Sequence, residues 1–467
     1  RALISISAEL LRSFRSSGQT SDKAASTFFQ QRKFLGSKDR RYIGDVYYSA
    51  LRHLRRIDHA IVGSLENSRR WFDNNVLRGT AFPSFTPPND RVWARPGKPA
   101  MAREGDNWIE KMRMSLAAEI VDPGSLSDME EELWADWPIT RSLVFDEVWV
   151  RRTIRRSGEL LQQAGESRKA LEWPLKHSVP EWLWSIMGGE LPGKEMDLLA
   201  TSLNQNAGIC LRVNTAKVSV EEYMERLRAA EITFEKGKHS QTCLRLENRV
   251  ARGSLPGEKE GLVEFQDEGS QWITELLPVS PGMRIIDACA GAGGKTLQLA
   301  SLLKGDGIVH VHEPDAKRLR ELKNRCVRAG ILDVIDTLED VPSPGSLEVD
   351  LVLLDVPCTG MGTLRRQPER KWRVLRDDVE SFVAAQKAIL EAWAPCVKTG
   401  GYLAYSTCSL IKEENAGRID QFLKDHTNFV RTTPENLPRN AKSRQGDVTL
   451  YPHRHDTDGF YLALLQK

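Results

Sequence analysis

Hydrophobic positions in the C-terminal part of the chain, after residue 261, fall into short apolar runs that alternate with longer amphipathic stretches. The runs are rich in β-branched residues and predict strands at residues 284–288, 308–311, 334–338, 351–354 and 402–405. The stretches repeat apolar residues every three or four positions and predict helices at residues 296–303, 316–329, 377–394 and 414–424. This alternation predicts an α/β domain with a doubly wound, mostly parallel sheet, which binds ligands beyond the carboxyl ends of its strands.

The N-terminal part follows a helical pattern. Asp39 can cap a helix whose apolar residues recur at three- and four-residue spacing, namely Ile43, Val46, Tyr47, Ala50, Leu51, Leu54 and Ile57. Between residues 63 and 168 the periodicity is poor, and prolines exclude a helix interior at Pro83, Pro87, Pro88, Pro96 and Pro99. We interpret this proline-rich region as an insertion.

A third pattern of hydrophobic positions begins at Trp173, where helical and strand periodicities are mixed. A strand at residues 209–213, a helix at 220–230 and further strands near Ile232 and Leu244 predict an α+β module. The predicted domains are a helical domain with a proline-rich insertion (1–170), an α+β linking module (171–262) and the doubly wound domain (263–467).

The composition is that of a globular protein, with 467 residues of which 40% are hydrophobic and 28% charged. No apolar run approaches the roughly 20 residues that cross a bilayer, and the first residues lack the apolar core of a signal peptide. The chain starts at Arg1 rather than Met, which fits a fragment or a processed form. The seven cysteines include no Cys-x-x-Cys pair, so we expect neither a disulfide framework nor a metal site. A cytoplasmic protein that does not contact membranes is predicted.

Positive charge is clustered although the net charge is only +2. Residues 31–60 carry eight Lys or Arg against three Asp, and residues 361–376 carry six against one Glu. Such blocks either bind phosphates or form solvated helix surfaces, and the charges alone leave both interpretations open.

A glycine-rich turn, Asp287-Ala-Cys-Ala-Gly-Ala-Gly-Gly-Lys-Thr, follows the first predicted strand of the α/β domain. A phosphate-binding P-loop would need glycine where Cys289 stands, and a dinucleotide fingerprint would need glycine where Thr296 stands. The turn of an S-adenosylmethionine methyltransferase, passing under the methionine part of its ligand, is the third interpretation. A tight turn without a ligand is the structural alternative.

Acidic residues follow the next strands. Glu313, after the second strand, is placed to accept the two hydroxyls of a ribose. Asp340, or Glu339 beside it, follows the third strand and is placed to meet an adenine. The predicted cofactor-binding set combines the turn with these carboxylates and Asp355: Cys289, Ala290, Gly291, Ala292, Gly293, Gly294, Lys295, Glu313, Asp340 and Asp355.

Two cysteines follow the fourth and fifth strands, Cys358 in Asp355-Val-Pro-Cys-Thr-Gly and Cys408 in Ser406-Thr-Cys-Ser. A lone buried cysteine is usually a small core residue, but two on the ligand-binding edge favour chemistry. A thiolate that adds to C6 of cytosine makes C5 nucleophilic enough to accept a methyl group. The C5 proton must then leave, which requires a base. Asp355 is placed as an acid near N3, and Lys295 can supply positive charge near substrate phosphates.

These motifs, together with Phe265-Gln-Asp-Glu-Gly-Ser-Gln and Arg365-Arg-Gln-Pro-Glu-Arg-Lys-Trp, resemble the RsmB/Sun family of RNA cytosine-C5 methyltransferases over roughly residues 173–467. The block from Arg32 to Arg52 resembles the NusB-like helical domain of the RsmB branch, which acts on small-subunit (16S) ribosomal RNA. The family usually has a proline in the glycine turn, where Ala292 stands here, and an Asp at Glu313; neither difference removes a ligand group. The proline-rich region is not part of the family pattern.

The resemblance implies the roles of the candidate residues. It makes Cys408 the nucleophile on C6 and Cys358 the residue that assists product release, with Asp355 as the third catalytic residue. It implies S-adenosylmethionine as cofactor, RNA as partner and a monomer. The predicted RNA-binding residues are the basic ones of the two charged blocks: Arg40, Arg41, Arg365, Arg366 and Lys371. Trp372 either stacks on a base or is a core residue.

Two alternatives remain beside this hypothesis. The same chemistry can act on transfer RNA or large-subunit RNA. A non-catalytic RNA-binding assembly factor can also keep the fold, although the joint presence of Asp355, Cys358 and Cys408 argues against it.

Overall fold

The computed structural model describes residues 2–75, 106–123, 125–128, 147–166, 173–188, 191–248, 250, 253–435, 437, 441 and 445–467. The chain forms two compact units. The first, the helical unit, contains Arg1–Asn204 and Gln367–Arg376, and the second, the α/β unit, contains Gln205–Arg366 and Asp377–Lys467. The proline-rich stretch with Pro83, Pro87, Pro88, Pro96 and Pro99 lies outside the described residues.

The helical unit is built from amphipathic helices around one apolar core. Its helices are α1 (Ala2–Ser17), α2 (Ser21–Gln31), α3 (Ser37–Asn75), α4 (Asp106–Val121), α5 (Ser125–Asp128), α6 (Glu147–Glu166), α7 (Trp173–Lys176), α8 (Glu181–Gly188), α9 (Gly193–Leu203) and, from the second segment, α14 (Arg370–Arg373). The apolar face predicted between Ile43 and Ile57 is buried in this core. A buried ion pair between Arg113 Nε and Asp58 Oδ1, 2.7 Å long, lies within the unit.

The α/β unit begins with a small antiparallel sheet of order β2-β3-β1-β4. Its strands are β1 (Ile209–Val213), β2 (Phe234–Lys236), β3 (Cys243–Leu246) and β4 (Val263–Phe265), with helix α10 (Val220–Ala229) between the first two. Ser219 caps that helix, because its side chain accepts a hydrogen bond from Glu222 N. The α+β pattern predicted here is therefore present.

The large sheet has the order β10-β12-β9-β8-β5-β6-β7, with β11 paired to β12. Its strands are β5 (Arg284–Asp287), β6 (Ile308–Val311), β7 (Ile335–Thr337), β8 (Val349–Asp355), β9 (Val397–Thr407), β10 (Val430–Thr432), β11 (Val448–Leu450) and β12 (Phe460–Gln466). The helices are α11 (Glu268–Glu275), α12 (Gly294–Leu302), α13 (Ala316–Ala329), α15 (Arg376–Trp393), α16 (Ala416–Asp425) and α17 (Pro452–His455).

The five predicted strands of this sheet are present and run parallel to one another. The predicted α/β class is confirmed. Beyond the prediction, the chain after residue 429 adds three antiparallel strands at the β9 side of the sheet.

The two units divide the chain differently from the three predicted domains, whose boundaries at 170 and 262 stay a prediction. Residues 173–203, placed by the sequence pattern in the α+β module, form short helices of the helical unit. Within this unit Asn204 Nδ2 donates to His177 O over 2.5 Å, which ties the end of α9 back to the turn after α7. Among the described residues, no helix is both long and apolar enough to cross a membrane.

Candidate active site

The candidate residues meet at one edge of the large sheet because the strands that precede them are parallel neighbours. β5 ends at Asp287, β8 ends at Asp355 and β9 ends at Thr407. In register, Asp355 lies beside Ser406 and Asp287 lies beside Leu353. The loops that carry the two cysteines and the glycine turn therefore leave the sheet side by side.

The two cysteine side chains are in contact, with Cys358 Sγ 3.4 Å from Cys408 Sγ. Both are free thiols; Cys358 is buried and Cys408 is partly exposed. The hydrogen bond to Cys408, and then burial, raise the pKa of Cys358 far above its ordinary value. Either sulfur can donate this hydrogen bond, and the two thiols differ in exposure, an asymmetry that strand order alone does not reveal.

A buried lysine and a carboxylate lie beside the thiols. Lys295 Nζ is 2.7 Å from Asp355 Oδ2, and the lysine is 7% exposed. Burial opposes the charge of Lys295, but Asp355, aided by Cys408 and Asp287, outweighs it, so the pKa of Lys295 is raised. The sequence predicts that Lys295 supplies positive charge near substrate phosphates. In the structure its ammonium group contacts the Asp355 carboxylate instead.

The glycine turn has the open backbone that a ligand needs. Gly291 and Gly293 have positive φ values of 55° and 88°, which side-chain-bearing residues rarely adopt. A Cβ atom on Gly291 or Gly294 would meet nothing within 4 Å, so a ligand can approach the backbone there. Glu313 joins the turn, because its Oε2 accepts from Gly291 N over 2.9 Å.

Two arginines, Arg212 buried and Arg325 partly buried, fix carbonyl groups of the same turn. Arg212 Nη1 on β1 donates to Gly294 O over 2.6 Å, and Arg325 Nη1 on α13 donates to Ala292 O over 2.5 Å. Arg325 is itself paired with Glu264 of β4 over 3.1 Å. The small sheet thus positions the turn, and neither arginine was found by sequence reasoning because each is distant from the turn in sequence.

The remaining predicted cofactor residues lie around this turn. Cys289 is partly buried, and burial raises the pKa of its thiol. Glu339 and Asp340 are both exposed in the loop after β7. Both therefore remain candidates for contacting the adenine of the cofactor.

The sequence of this chain matches the models of known families. The sequence model of the family described as 16S rRNA methyltransferase RsmB/F matches residues 274–466, and that of the RsmF/B-like ferredoxin-like domain matches residues 179–252. The probable ribosomal RNA small subunit methyltransferase B of Synechocystis sp. is 35% identical over 62% of this chain and 67% of that protein. The ribosomal RNA small subunit methyltransferase B of Pasteurella multocida is 34% identical over 68% of this chain and 70% of that protein. The chain belongs to the RsmB/F family.

A solved structure supports the membership. The methyltransferase homolog protein from Pyrococcus horikoshii is 29% identical, with a TM-score of 0.56 over 64% of this chain and 99% of that one. The family resemblance found in the sequence is thereby confirmed. As an RsmB/F member, the protein is an RNA methyltransferase that uses S-adenosylmethionine, and the open glycine turn fits such a ligand.

A buried glutamate of this RsmB/F enzyme clamps both cysteine loops and was missed in the sequence. Glu414 is 0% exposed and accepts from Thr359 N over 2.8 Å, from Thr359 Oγ1 over 2.6 Å and from Ser409 Oγ over 2.5 Å. Gln386 Nε2 adds a fourth hydrogen bond. Thr359 follows Cys358 and Ser409 follows Cys408, so one carboxylate fixes the two loops. In the sequence, only the position of Glu414 shortly after the second cysteine motif could have indicated this role.

The basic run of this RsmB/F enzyme is used mostly for internal contacts. Arg365 is 6% exposed and donates to Thr457 O and Asn206 O. Arg366 pairs with Asp267 over 2.7 Å and with Asp458 over 2.6 Å. These two arginines therefore have protein partners within the α/β unit.

Lys371 and Trp372, which lie later in this run, belong to the helical unit. Lys371 is 1% exposed and donates to Arg52 O over 2.7 Å and Asn204 Oδ1 over 2.8 Å. Burial lowers the pKa of Lys371 well below its ordinary value. Trp372 donates to Leu51 O over 2.6 Å and is part of the helical core, the second of its two predicted interpretations. In this conformation Lys371 presents no charge to an external phosphate.

The basic residues of α3 differ from this run. Arg40 is partly buried, with Nε donating to Leu35 O over 2.9 Å, whereas Arg41 is exposed. Nearby Phe34 is 76% exposed. An exposed aromatic ring beside exposed cations is the composition of many RNA-binding surfaces.

Three donor side chains outside the sheet edge come close enough to surround a cation. Cys210, Cys243 and Glu268 are buried, and their ligand atoms lie within 4.8 Å of one another. Glu268 Oε1 already accepts from His239 N over 2.6 Å, which gives the carboxylate a role in holding that turn. The expectation that the protein holds no metal stays a prediction.

Proposed function

We propose that this protein transfers the methyl group of S-adenosylmethionine to C5 of a cytosine in small-subunit ribosomal RNA. The observation that carries the proposal is the thiol pair, with 3.4 Å between Cys358 Sγ and Cys408 Sγ at the strand edge that also holds Lys295 and Asp355. The names of the relatives, ribosomal RNA small subunit methyltransferase B, support the RNA class.

The proposed reaction begins with Cys408. Its thiolate adds to C6 of the cytosine, which forms a C–S bond and makes C5 nucleophilic. Asp355, adjacent to the protonated Lys295, lies where a proton can be held near N3 of the ring during this addition. The cofactor would supply an electrophilic methyl group. C5 would bond to that carbon while the carbon–sulfonium bond breaks, and S-adenosylhomocysteine would leave with the electron pair on its sulfur.

Release requires that the C5 proton leave to a base and that the C6–S bond break, which returns the electron pair to Cys408. Cys358 lies in contact with that sulfur, and this contact supports the proposal that it assists elimination, as the family resemblance implies.

The proposed cofactor site follows the glycine turn. The backbone from Cys289 through Lys295 would hold the methionine part, Glu313 would accept hydrogen bonds from the ribose hydroxyls, and Asp340 or Glu339 would contact the adenine. In this proposal Glu313 exchanges its hydrogen bond from Gly291 N for bonds to the ribose.

The proposed RNA contacts start from the exposed cations of α3. Arg41 is exposed and Arg40 is next to it, so these two keep the role predicted for them. Arg365, Arg366 and Lys371 have internal partners, and we propose for them a role in holding the loop after Cys358 and the core of the helical unit. Ribosomal RNA as substrate places the reaction in the cytoplasm, and the protein acts as a monomer.

The direct test uses the full chain, S-adenosylmethionine and an unmodified small-subunit ribosomal RNA transcript, followed by bisulfite sequencing and mass spectrometry of the nucleosides. We expect 5-methylcytosine at one position. Transfer-RNA and large-subunit transcripts run in parallel, and methylation of one of them instead would reassign the substrate. A methyl group on another atom, or on no RNA at all, would refute the chemistry.

A further inference from the structure

A cavity of about 450 Å³ lies in the α/β unit next to the reaction centre. Its size is in the range of pockets that hold small organic ligands. The side chains that matter for its chemistry come from the end of β4 and the loop after it, from the loop after Cys358, and from the residues at and just before the start of β12: Phe265, Gln266, Asp267, Arg366, Asp458 and Phe460. The described residues that line the cavity do not include Cys358 or Cys408. A base confined to this cavity therefore contacts neither thiol.

Phe460 separates the cavity from the reacting groups. Lys295 Nζ lies 5.5 Å from the centre of the Phe460 ring, and the same lysine contacts Asp355. The neighbouring Gly459 donates from its N to Gly362 O, and Gly362 N donates to Cys408 O over 2.9 Å. One wall of the cavity is thus joined to the backbone of the proposed nucleophile.

Asp458 has an unused acceptor among the described residues. The residue is 2% exposed, and its Oδ2 is bound by Arg366 Nε over 2.6 Å. Its Oδ1 is buried and accepts no hydrogen bond from the described residues. A buried oxygen without a partner is costly, so it points to a donor that arrives with a ligand. Burial, and then Asp267, raise the pKa of Asp458 to about 7 although Arg366 and Arg365 oppose the rise.

The apolar part of the cavity suits a flat ring. Two aromatic rings line it, Phe265 at the end of β4, which is 38% exposed, and Phe460, which is buried. Single-stranded RNA is recognised by bases that stack on aromatic side chains and use their edges for hydrogen bonds. A cavity that combines an exposed ring with a buried acceptor meets both requirements.

We propose that this cavity binds the base of a nucleotide next to the target cytosine, and that Asp458 Oδ1 accepts a hydrogen bond from an exocyclic amino group of that base. The inference rests on the proposed function for its substrate, RNA. It adds a site of sequence preference that lies outside the thiol pair. Phe265 provides the stacking surface, and Asp458 selects an amino group over a carbonyl oxygen.

A reversal of base preference tests the role of Asp458. The probes are adenosine monophosphate and inosine monophosphate, whose bases carry an amino group and a carbonyl oxygen at the same ring position. Binding to the full chain is measured by calorimetry at about pH 8, with saturating S-adenosylhomocysteine to occupy the cofactor's adenine site. We expect the wild type to bind the amino form about tenfold more tightly, the discrimination of one good hydrogen bond to a base.

The Asp458→Asn variant should invert this order. Arg366 donates to Oδ2, so the amide oxygen takes that position and the amide NH₂ takes the position of Oδ1. The NH₂ group then favours the carbonyl form. Loss of folding cannot produce an inversion, so the result separates recognition from stability. Equal affinity of the wild type for the two probes, or an unchanged order in the variant, would overturn the proposal.

Two further variants complete the test. Asp456→Asn is the matched control, since Asp456 pairs with Arg245 and Lys238 and does not line the cavity; it should keep the wild-type order. Phe265→Ala should weaken the binding of both probes about tenfold without changing which of them binds more tightly, because stacking does not distinguish the two bases. Equal weakening by Asp456→Asn and Phe265→Ala would count against the cavity.

Methylation then distinguishes this inference from the proposed function. Transcripts with randomised nucleotides beside the mapped cytosine should show an amino-base preference at one flanking position, and Asp458→Asn should reverse it at that position alone. If the wild type methylates no RNA, the proposed function fails, and the binding order of the two probes still decides the cavity. If methylation occurs without any such preference, only the cavity inference fails.

Discussion

The two thiols at the sheet edge have different environments at the scale of single residues. Cys358 is buried and Cys408 is more exposed, and their sulfur atoms are in contact. A thiolate is needed for attack, and a second thiol beside it is useful for release. The family resemblance implies that Cys408 attacks and Cys358 assists release, and this division of roles stays a prediction.

This division predicts opposite results for two alanine variants. Cys408→Ala should abolish methylation and form no covalent protein–RNA adduct, because no sulfur reaches C6. Cys358→Ala should attack normally but release slowly, so an adduct that resists denaturing gels should accumulate. Cys396→Ala is the control with wild-type behaviour, because Cys396 is a buried cysteine directly before β9, at the opposite end of that strand from Cys408. An adduct seen with Cys408→Ala and not with Cys358→Ala would exchange the two assignments.

A second residue-scale prediction concerns Asp287 at the end of β5. Burial raises its pKa from 3.8 to about 6, although Thr296 Oγ1 donates to it over 2.7 Å. A raised carboxyl pKa means that folding favours the protonated form. Its contribution to stability is present below about pH 4 and is lost as the pH rises through 6.

Asp287→Asn should therefore stabilise the protein above pH 6. The free energy of unfolding of the wild type, relative to the variant, should fall by up to about 3 kcal/mol between pH 4 and pH 6 and stay constant above. Chemical denaturation at a series of pH values measures this difference, with the exposed Asp333→Asn as control. A difference that does not change with pH would show that Asp287 titrates normally.

At the scale of elements, the loops after β8 and β9 form one body because Glu414 holds both. Its carboxylate accepts from the residue that follows each cysteine. Misplacement of reacting groups by about 1 Å can cost two orders of magnitude in rate. The clamp is therefore a positioning device for the thiol pair.

Glu414→Gln should lower kcat about tenfold to a hundredfold, since an amide group cannot accept all the hydrogen bonds that the carboxylate accepts. The KM for S-adenosylmethionine should not change, because the glycine turn is held by Arg212 and Arg325 instead. Steady-state kinetics check this separation, and Glu413→Gln, one residue earlier, is the matched control. A rise in KM with unchanged kcat would contradict the clamp.

At the scale of the whole molecule, the charge of the chain is nearly balanced, so contacts with phosphates depend on which cations are exposed. In the basic run after Cys358, Arg366 and Lys371 contact other residues of the protein. Arg41, in the helical unit, is exposed. RNA binding through phosphate contacts should therefore depend on the helical unit and on salt.

Arg41→Gln should weaken binding to ribosomal RNA and reduce the slope of log K against log salt by about 0.8, the value for one lost phosphate contact. Filter binding at several salt concentrations measures both quantities. Arg226→Gln is the control, because this arginine is exposed on α10 and paired with Glu222. An unchanged slope for Arg41→Gln would remove this residue from the RNA surface.

The sequence by itself determined the α/β class, the strand edge and the residues that meet there. It could do so because alternation of apolar runs is local, and because parallel strands bring all their carboxyl ends to one edge. Asp355, Cys358, Cys408 and the glycine turn each follow such a strand, so their proximity follows from order along the chain.

Only the tertiary structure decided which partner each side chain meets. Lys371 is buried on the backbone of a residue 319 positions earlier, and the ammonium of Lys295 lies on a carboxylate 60 positions later. The positions of Glu414, Arg212 and Asp458 likewise depend on contacts with residues that are distant in sequence. Periodicity reports which face of an element is buried, whereas hydrogen bonds between distant segments depend on how the elements pack, and no local pattern in the chain encodes that packing.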